Sequence, residues 1–129
     1  MKQTRRELSA AEWELMHAIW RAGQPVTVRQ VLDQAYPQGE KAYTTVQTLM
    51  NIMVDKGFLS RRKEGRVNIY AANTGQEDVL RSSLAGIAQR MFQGSFGAMA
   101  SFLINTGQLN EGEIEQLRSI LEKKQGEES

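Results

Sequence analysis

Thr44, Gln47, Thr48 and Asn51 recur at the spacing of one helix face, which gathers four short, neutral hydrogen-bonding side chains into a stripe. Such a face suits the edges of nucleic-acid bases, because Gln and Asn bond adenine bidentately and Thr contacts a thymine methyl. Val46, Leu49, Met50 and Met53 repeat the spacing two residues later and predict a core-facing stripe on the same helix. A merely solvated face would carry Lys and Glu, which form helices more readily than Thr and Asn. The alternative is a polar face that happens to lack charge.

The next segment adds charge. Gly57 follows Lys56 as a helix stop, and Phe58 to Lys63 alternates apolar and basic residues up to a turn at Glu64-Gly65. The return strand, Arg66 to Ala71, alternates Val67 and Ile69 with Asn68 and Tyr70. Arg61, Arg62, Lys63 and Arg66 therefore crowd one hairpin that holds a single acid, Glu64. Like charges on a hairpin repel unless an anion compensates them, and a phosphate backbone would do so. A merely soluble hairpin is the competing reading.

Two upstream helices must carry these elements. Ser9-Ala10-Ala11-Glu12 has the form of a capping box, followed by the apolar stripe Leu15, Met16, Ile19 and Trp20. The helix is expected from about Ala10 to Arg21, ended by Gly23 and Pro25. Thr27-Val28-Arg29-Gln30 is a second capping box, opening a helix that places Val28, Val31, Leu32 and Ala35 on one face and stops near Tyr36-Pro37. The predicted fold class is mainly α with a small β-hairpin wing: a winged helix-turn-helix DNA-binding domain over residues 1–73, then a helical dimerisation region over residues 74–129.

The chain resembles the penicillinase-repressor group of bacterial regulators, which includes the beta-lactamase, methicillin-resistance and copper-responsive repressors. The resemblance rests on Leu8-Ser9-Ala10-Ala11-Glu12-Trp13-Glu14-Leu15-Met16 through Trp20, Ala42-Tyr43-Thr44-Thr45-Val46-Gln47-Thr48-Leu49 and Lys56-Gly57-Phe58-Leu59. It continues in Phe92-Gln93-Gly94-Ser95-Phe96-Gly97-Ala98-Met99 and in Leu109 through Leu117. It implies a dimeric repressor on a palindromic double-stranded DNA operator, with the third helix in the major groove and Thr44, Thr45, Gln47, Thr48 and Asn51 meeting DNA. The wing would lie on the backbone or minor groove. This chain has Thr44 and Gln47 where better-known members carry Lys and Arg, and Ile52 where relatives often have Arg. The resemblance also implies derepression through a membrane sensor with a zinc protease domain, the matching bond being Ser101-Phe102; those relatives have Asn in place of Ser101. A bound small molecule is the other route.

Charge is placed accordingly. Residues 1–72 hold 11 Lys and Arg against 7 Asp and Glu, and residues 73–129 hold 5 against 8, so a net charge of +1 hides a basic first half. The excess is modest, which favours useful affinity only from two linked subunits. Absence of cysteine excludes disulfides and thiolate metal sites and fits a cytoplasmic protein. No apolar run approaches the ~18 residues of a membrane span, so no direct membrane insertion is expected. Gln125 to Ser129 is expected to fray.

In the second half, Thr74-Gly75-Gln76-Glu77 reads as a third capping box before Val79, Leu80, Leu84, Ile87, Met91 and Phe92. Gly94 and Gly97 separate these from Phe96, Met99, Phe102, Leu103 and Ile104. Asn110, with Glu113, caps a last helix bearing Ile114, Leu117, Ile120 and Leu121. Three short helices would carry more apolar surface than they can bury, and a two-fold dimer would cover it. Folding back on the winged domain is the alternative.

No catalytic constellation, metal-ligand set or cofactor motif stands out, so an enzyme is not expected. His17, the sole histidine, is read as partly exposed surface, and Trp13 and Trp20 as core. Two other functions compete. A winged-helix protein-interaction module would need neither a basic wing nor a reading face. An RNA-binding regulator would display stacking aromatics, and only Tyr43 stands near the proposed face.

Overall fold

The computed structural model describes residues 7–128. Its first three helices are α1 (Ala10–Ala22), α2 (Val28–Ala35) and α3 (Tyr43–Asp55), followed by β1 (Leu59–Glu64) and β2 (Val67–Ala72). The capping boxes expected at Ser9 and Thr27 both form. The Ser9 hydroxyl accepts from the Glu12 N–H at 3.2 Å while Glu12 Oε1 accepts from the Ser9 N–H at 2.8 Å. Thr27 and Gln30 make the same exchange at 3.1 and 2.9 Å. Each cap is worth about 1 kcal/mol and fixes where its helix begins.

Glu12 does more than cap. It is the one buried charged residue among the described residues, 2% exposed, and its Oε1 also accepts from Lys56 Nζ at 2.7 Å. Lys56 follows α3 directly and donates to the Glu7 carbonyl as well, at 3.0 Å. One ammonium thus ties the start of α1 to the end of α3. Gly57, at φ 92°, then turns the chain into β1, a conformation open to glycine at little steric cost.

Leu15, Met16 and Ile19 of α1, Val28, Val31 and Leu32 of α2, and Val46, Met50 and Met53 of α3 build one core. Each such side chain contributes roughly 1.5–3 kcal/mol by leaving water. Phe58, Leu59 and Tyr70 close the core from the hairpin. The strands are antiparallel, with Leu59 opposite Ala72, Arg61 opposite Tyr70 and Glu64 opposite Val67. Gly65 and Arg66 form a two-residue loop in which Gly65 takes the positive-φ position, so Arg66 lies in the turn rather than at the head of the strand. Backbone bonds of 2.8 and 2.7 Å in both directions between Val26 and Tyr70 anchor the hairpin to the α1–α2 connection.

The chain divides into two compact units after Arg81, inside α4 (Gln76–Phe92) rather than after residue 73. The physical reason lies in the first turn of α4, where Val79 is buried in the first unit's core. Thr74 is not a cap. Gly75 holds that position, its carbonyl accepting from the Val79 N–H, and the Thr74 carbonyl instead accepts from Trp20 Nε1 at 2.9 Å. His17 is exposed between the partly buried Trp13 and Trp20, its ring 5.6 and 6.0 Å from theirs.

The second unit holds the rest of α4, then α5 (Phe96–Asn105) and α6 (Glu111–Glu128). Helices of 17 and 18 residues for α4 and α6 are longer than expected. The break between α4 and α5 comes at Gln93-Gly94, both at positive φ, and Gly97 sits inside α5. Asn110 and Glu113 form the expected reciprocal cap at 2.8 and 3.0 Å. The expected fraying from Gln125 is not what forms: α6 stays helical through Glu128, while Ser129 lies outside the described residues. The final turns contain no proline, and Gly126 lies inside the helix without the positive φ of a capping glycine, so the hydrogen-bonded ladder is not ended earlier.

Lys56→Ala leaves the buried Glu12 carboxylate without its cation and is expected to lower stability by about 3 kcal/mol. A Glu12→Gln, Lys56→Met double variant is expected to lose less than Lys56→Ala alone. Urea unfolding midpoints at constant slope measure both, and equal losses would rule out an uncompensated charge as the cause.

Candidate nucleic-acid interface

On α3 the core stripe faces inward, and the opposite stripe is left to solvent. Thr44, Thr45 and Thr48 are exposed, and Gln47 and Asn51 are half-buried. Whereas α1 and α2 begin with full capping boxes, α3 has Ala42 in the cap position and no side-chain cap bond. Its first-turn N–H groups are therefore left without a side-chain acceptor at the positive end of the helix dipole, where an anion is stabilised. Ile52 is exposed beside the polar stripe.

Strand alternation sorts the hairpin's charge into two faces. Arg61 and Lys63 share the face of the buried Leu59, which also carries Tyr70 and Asn68 across the ladder; Arg62 and Glu64 share the other face with Ile69 and Val67. On that second face Arg62 Nη2 and Nε both donate to Glu64 Oε2, at 2.5 and 3.1 Å. Arg62 is thereby largely compensated within the wing. Arg61 reaches α3 instead, its Nη1 donating to Asn51 Oδ1 at 2.7 Å. Lys63 and Arg66 are exposed, and neither has an acidic partner among the described residues.

The join between helix and hairpin is polar and partly dry. Tyr70 is fully buried, and its hydroxyl donates to the same Asn51 Oδ1 at 2.8 Å. Burial raises the Tyr70 phenol above its ordinary value of 10.0, and the nearby Arg61 guanidinium draws it partly back. Tyr36, whose hydroxyl donates to Glu14 Oε1 at 2.5 Å, is also raised, first by burial and then by that carboxylate.

Two side chains that periodicity did not single out join the surface. Arg29 of α2 lies with its guanidinium 5.1 Å from the Tyr43 ring centroid, at the open start of α3. That contact adds a cation beside the first-turn N–H groups. Its sequence signal is weak, since an Arg in a capping box followed at i+4 by Asp33 reads as an ordinary surface pair.

The residues expected at a dimer interface stand in the second unit. Leu84, Met91, Phe96, Phe102, Leu103, Leu117 and Leu121 are exposed, and Ile87, Phe92, Met99 and Ile114 are half-buried. No residue of α5 is buried. Phe92 and Phe102 do meet, their ring centroids 5.9 Å apart. Ser101 and Phe102 lie within α5, where the Phe102 carbonyl accepts from the N–H and hydroxyl of Thr106 at 3.0 and 2.8 Å. Among the described residues no cluster of three or more His, Asp or Glu is placed to hold a metal, and no helix is long and apolar enough to cross a membrane.

Comparison with known proteins gives consistent matches. A family model described as penicillinase repressor matches residues 8–123. The chain is 27% identical over 118 residues to the methicillin resistance regulatory protein MecI of Staphylococcus aureus (strain N315), spanning 92% of this chain and 95% of that protein. Identity to the penicillinase repressor of Bacillus licheniformis is 28% over 117 residues, 91% of each chain. The solution structure of the DNA binding domain of the repressor BlaI is similar with a TM-score of 0.51 at 28% identity, covering 60% of this chain and 93% of that one.

The raised phenols carry a stability signature. The folded chain holds these protons above the pH at which an unfolded tyrosine loses them, so stability is complete below about 10 and falls as pH rises through the folded-state values. Tyr70→Phe is expected to cost about 1 kcal/mol at neutral pH through the lost hydrogen bond. It should also make the alkaline fall shallower. Urea midpoints from neutral to strongly alkaline pH measure both, and an unchanged alkaline slope would assign that loss to other groups.

Proposed function

Since the chain belongs to the penicillinase-repressor family, we propose that it is a sequence-specific DNA-binding transcriptional repressor acting as a dimer on a palindromic operator. The observation that carries this is the juxtaposition on one side of the first unit. The neutral stripe of α3 adjoins the hairpin face that carries Arg61 and Lys63. The stripe has the donors and acceptors to read base edges in a major groove, and the cations have the charge to hold the flanking backbone. Relatives named as a resistance regulator and a penicillinase repressor support the same reading, as does the likeness to the DNA binding domain of BlaI.

Roles divide by position. Thr44, Thr45, Gln47 and Thr48 face the bases, while Lys63 and Arg66 meet phosphates. The second unit provides the pairing surface, with Phe96, Phe102, Leu103 and Leu121 covered by their copies in a two-fold dimer. Two linked reading heads then bind an operator whose half-sites lie about one helical turn apart. A dimer is what makes a modestly basic domain effective, because the second head binds at a high effective concentration.

Relief of repression is proposed to follow cutting at Ser101-Phe102 by a sensor-protease pathway, which would separate α6 from the rest of the pairing surface. The bond sits in a hydrogen-bonded helical turn, so cutting requires that turn to open first. Full-length chain persisting unchanged while its target gene is switched on would exclude this route.

Selection of duplexes from a random pool, with oligomeric state measured in the same buffer, tests the main reading. A palindrome bound by a dimer is expected; no recovered sequence at low salt would overturn it. Lys63→Ala is expected to weaken binding to all duplexes and to lower the salt slope by about 1 per subunit. Arg62→Ala should change the slope less, because Glu64 already compensates that charge. The opposite order would mean that the outer hairpin face meets the backbone.

A further inference from the structure

Asn51 stands on the reading stripe, yet its amide oxygen is already engaged. It accepts from Arg61 Nη1 at 2.7 Å and from the Tyr70 hydroxyl at 2.8 Å. Arginine can only donate, so the atom it meets must be the Asn51 oxygen and not the nitrogen. An amide oxygen has two lone pairs, and both are occupied. Reading adenine bidentately would require that oxygen to accept from the adenine N6 amino group while the nitrogen donates to N7. Releasing it would leave a fully buried tyrosine hydroxyl without its acceptor.

Arg61 is in the opposite situation. It is exposed, and it lies on the hairpin face that meets α3. Asn51 is one helical turn from Gln47 and Thr48, so the guanidinium it holds stands beside the base-reading stripe. The bond to Asn51 uses Nη1, and the guanidinium also hydrogen-bonds the Tyr70 hydroxyl; neither partner is an acid, and an arginine's paired Nε and Nη2 hydrogens form the fork that matches the O6 and N7 acceptors of guanine. On Arg62 the same fork is taken by Glu64. Lys63 has no fork at all, only a point charge suited to phosphate.

We propose that Arg61 reads a guanine in each half-site and that Asn51 is the positioning residue that aims it, rather than a reader of adenine. This rests on the DNA-binding reading above and assigns its specificity. A wing residue thereby contributes to base selection through its attachment to α3, and the wing's phosphate contacts fall to Lys63 and Arg66.

The test is duplex selection with the full chain and three variants, Arg61→Ala, Asn51→Ala and Asn51→Asp. Aspartate keeps an acceptor for both Arg61 and Tyr70 but has no amide donor. The wild-type chain is expected to select guanine at one step of each half-site. Arg61→Ala and Asn51→Ala should lose about tenfold or more of the discrimination at that same step. Asn51→Asp should keep the guanine preference while binding every duplex less tightly, through its added negative charge. Retention of every base preference by Arg61→Ala overturns the proposal. So does loss of an adenine step in both Asn51 variants with the guanine step intact. If Asn51→Ala fails to give a cooperative melt, Arg61→Ala, which alters an exposed side chain, and Asn51→Asp still decide the question. A wild-type chain that recovers no sequence overturns the DNA-binding reading itself, whereas a palindrome lacking an Arg61-dependent guanine overturns only this assignment.

Discussion

A phenol inside a protein must find a hydrogen-bond acceptor there, and the Tyr70 hydroxyl sets the arrangement of the first unit. Its backbone pairs with Val26 in both directions, its ring fills the core and its hydroxyl reaches Asn51. Three elements that are distant along the chain meet at this one residue: the α1–α2 connection, the third helix and the hairpin. The wing's attitude to α3 is therefore fixed by a satisfied buried group, a stronger constraint than surface charge pairs provide. Glu12 and Lys56 make a second tie of the same kind, between the start of α1 and the end of α3. The two ties hold α3 at its C-terminal end and at Asn51, and leave the exposed Thr44, Thr45 and Thr48 open.

Much of this was legible in the sequence, and what was legible was local. The capping boxes at Ser9 and Thr27 depend on residues three apart, and both formed. The two stripes of α3 follow from helix periodicity alone, with Val46, Met50 and Met53 buried and Thr44 and Thr48 exposed. Contacts between distant residues left no such trace. Nothing in the order of residues links Glu12 to Lys56. In the hairpin, alternation set Val67 and Ile69 against Asn68 and Tyr70 but could not say which face turns inward. The buried side chain is the aromatic one, opposite the aliphatic pair. Asn51 looked like its stripe neighbours because its two hydrogen-bond partners come from the hairpin. The capping box expected at Thr74 failed for a related reason: the segment's position is governed by Trp20 and Val79, so the helix begins one residue later.

The second unit shows a different balance of forces. Its helices are well capped, with reciprocal bonds at Asn110 and a Ser95 hydroxyl accepting from the Ala98 N–H, yet α5 buries no residue. Helix formation there is directed by local signals, while hydrophobic burial is left incomplete. An isolated helix of ten residues is marginal in water, and α5 has that length. Its persistence thus depends on what its apolar side chains pack against, which is the physical basis for a proposed dimer whose assembly and integrity are coupled. The same incompleteness places the proposed scissile bond in a helix that buries no residue.

The separation of charges on the hairpin has one more consequence, and it concerns length instead of composition. Because neighbouring strand residues point to opposite sides, a single-residue insertion or deletion in β1 would exchange the two faces from that point on. Arg62 and Glu64 would turn toward α3, and Arg61 and Lys63 away from it. The wing can thus vary in side-chain chemistry from one chain to another, but between its anchor at Leu59 and its loop at Gly65 its residue count is held to a fixed parity.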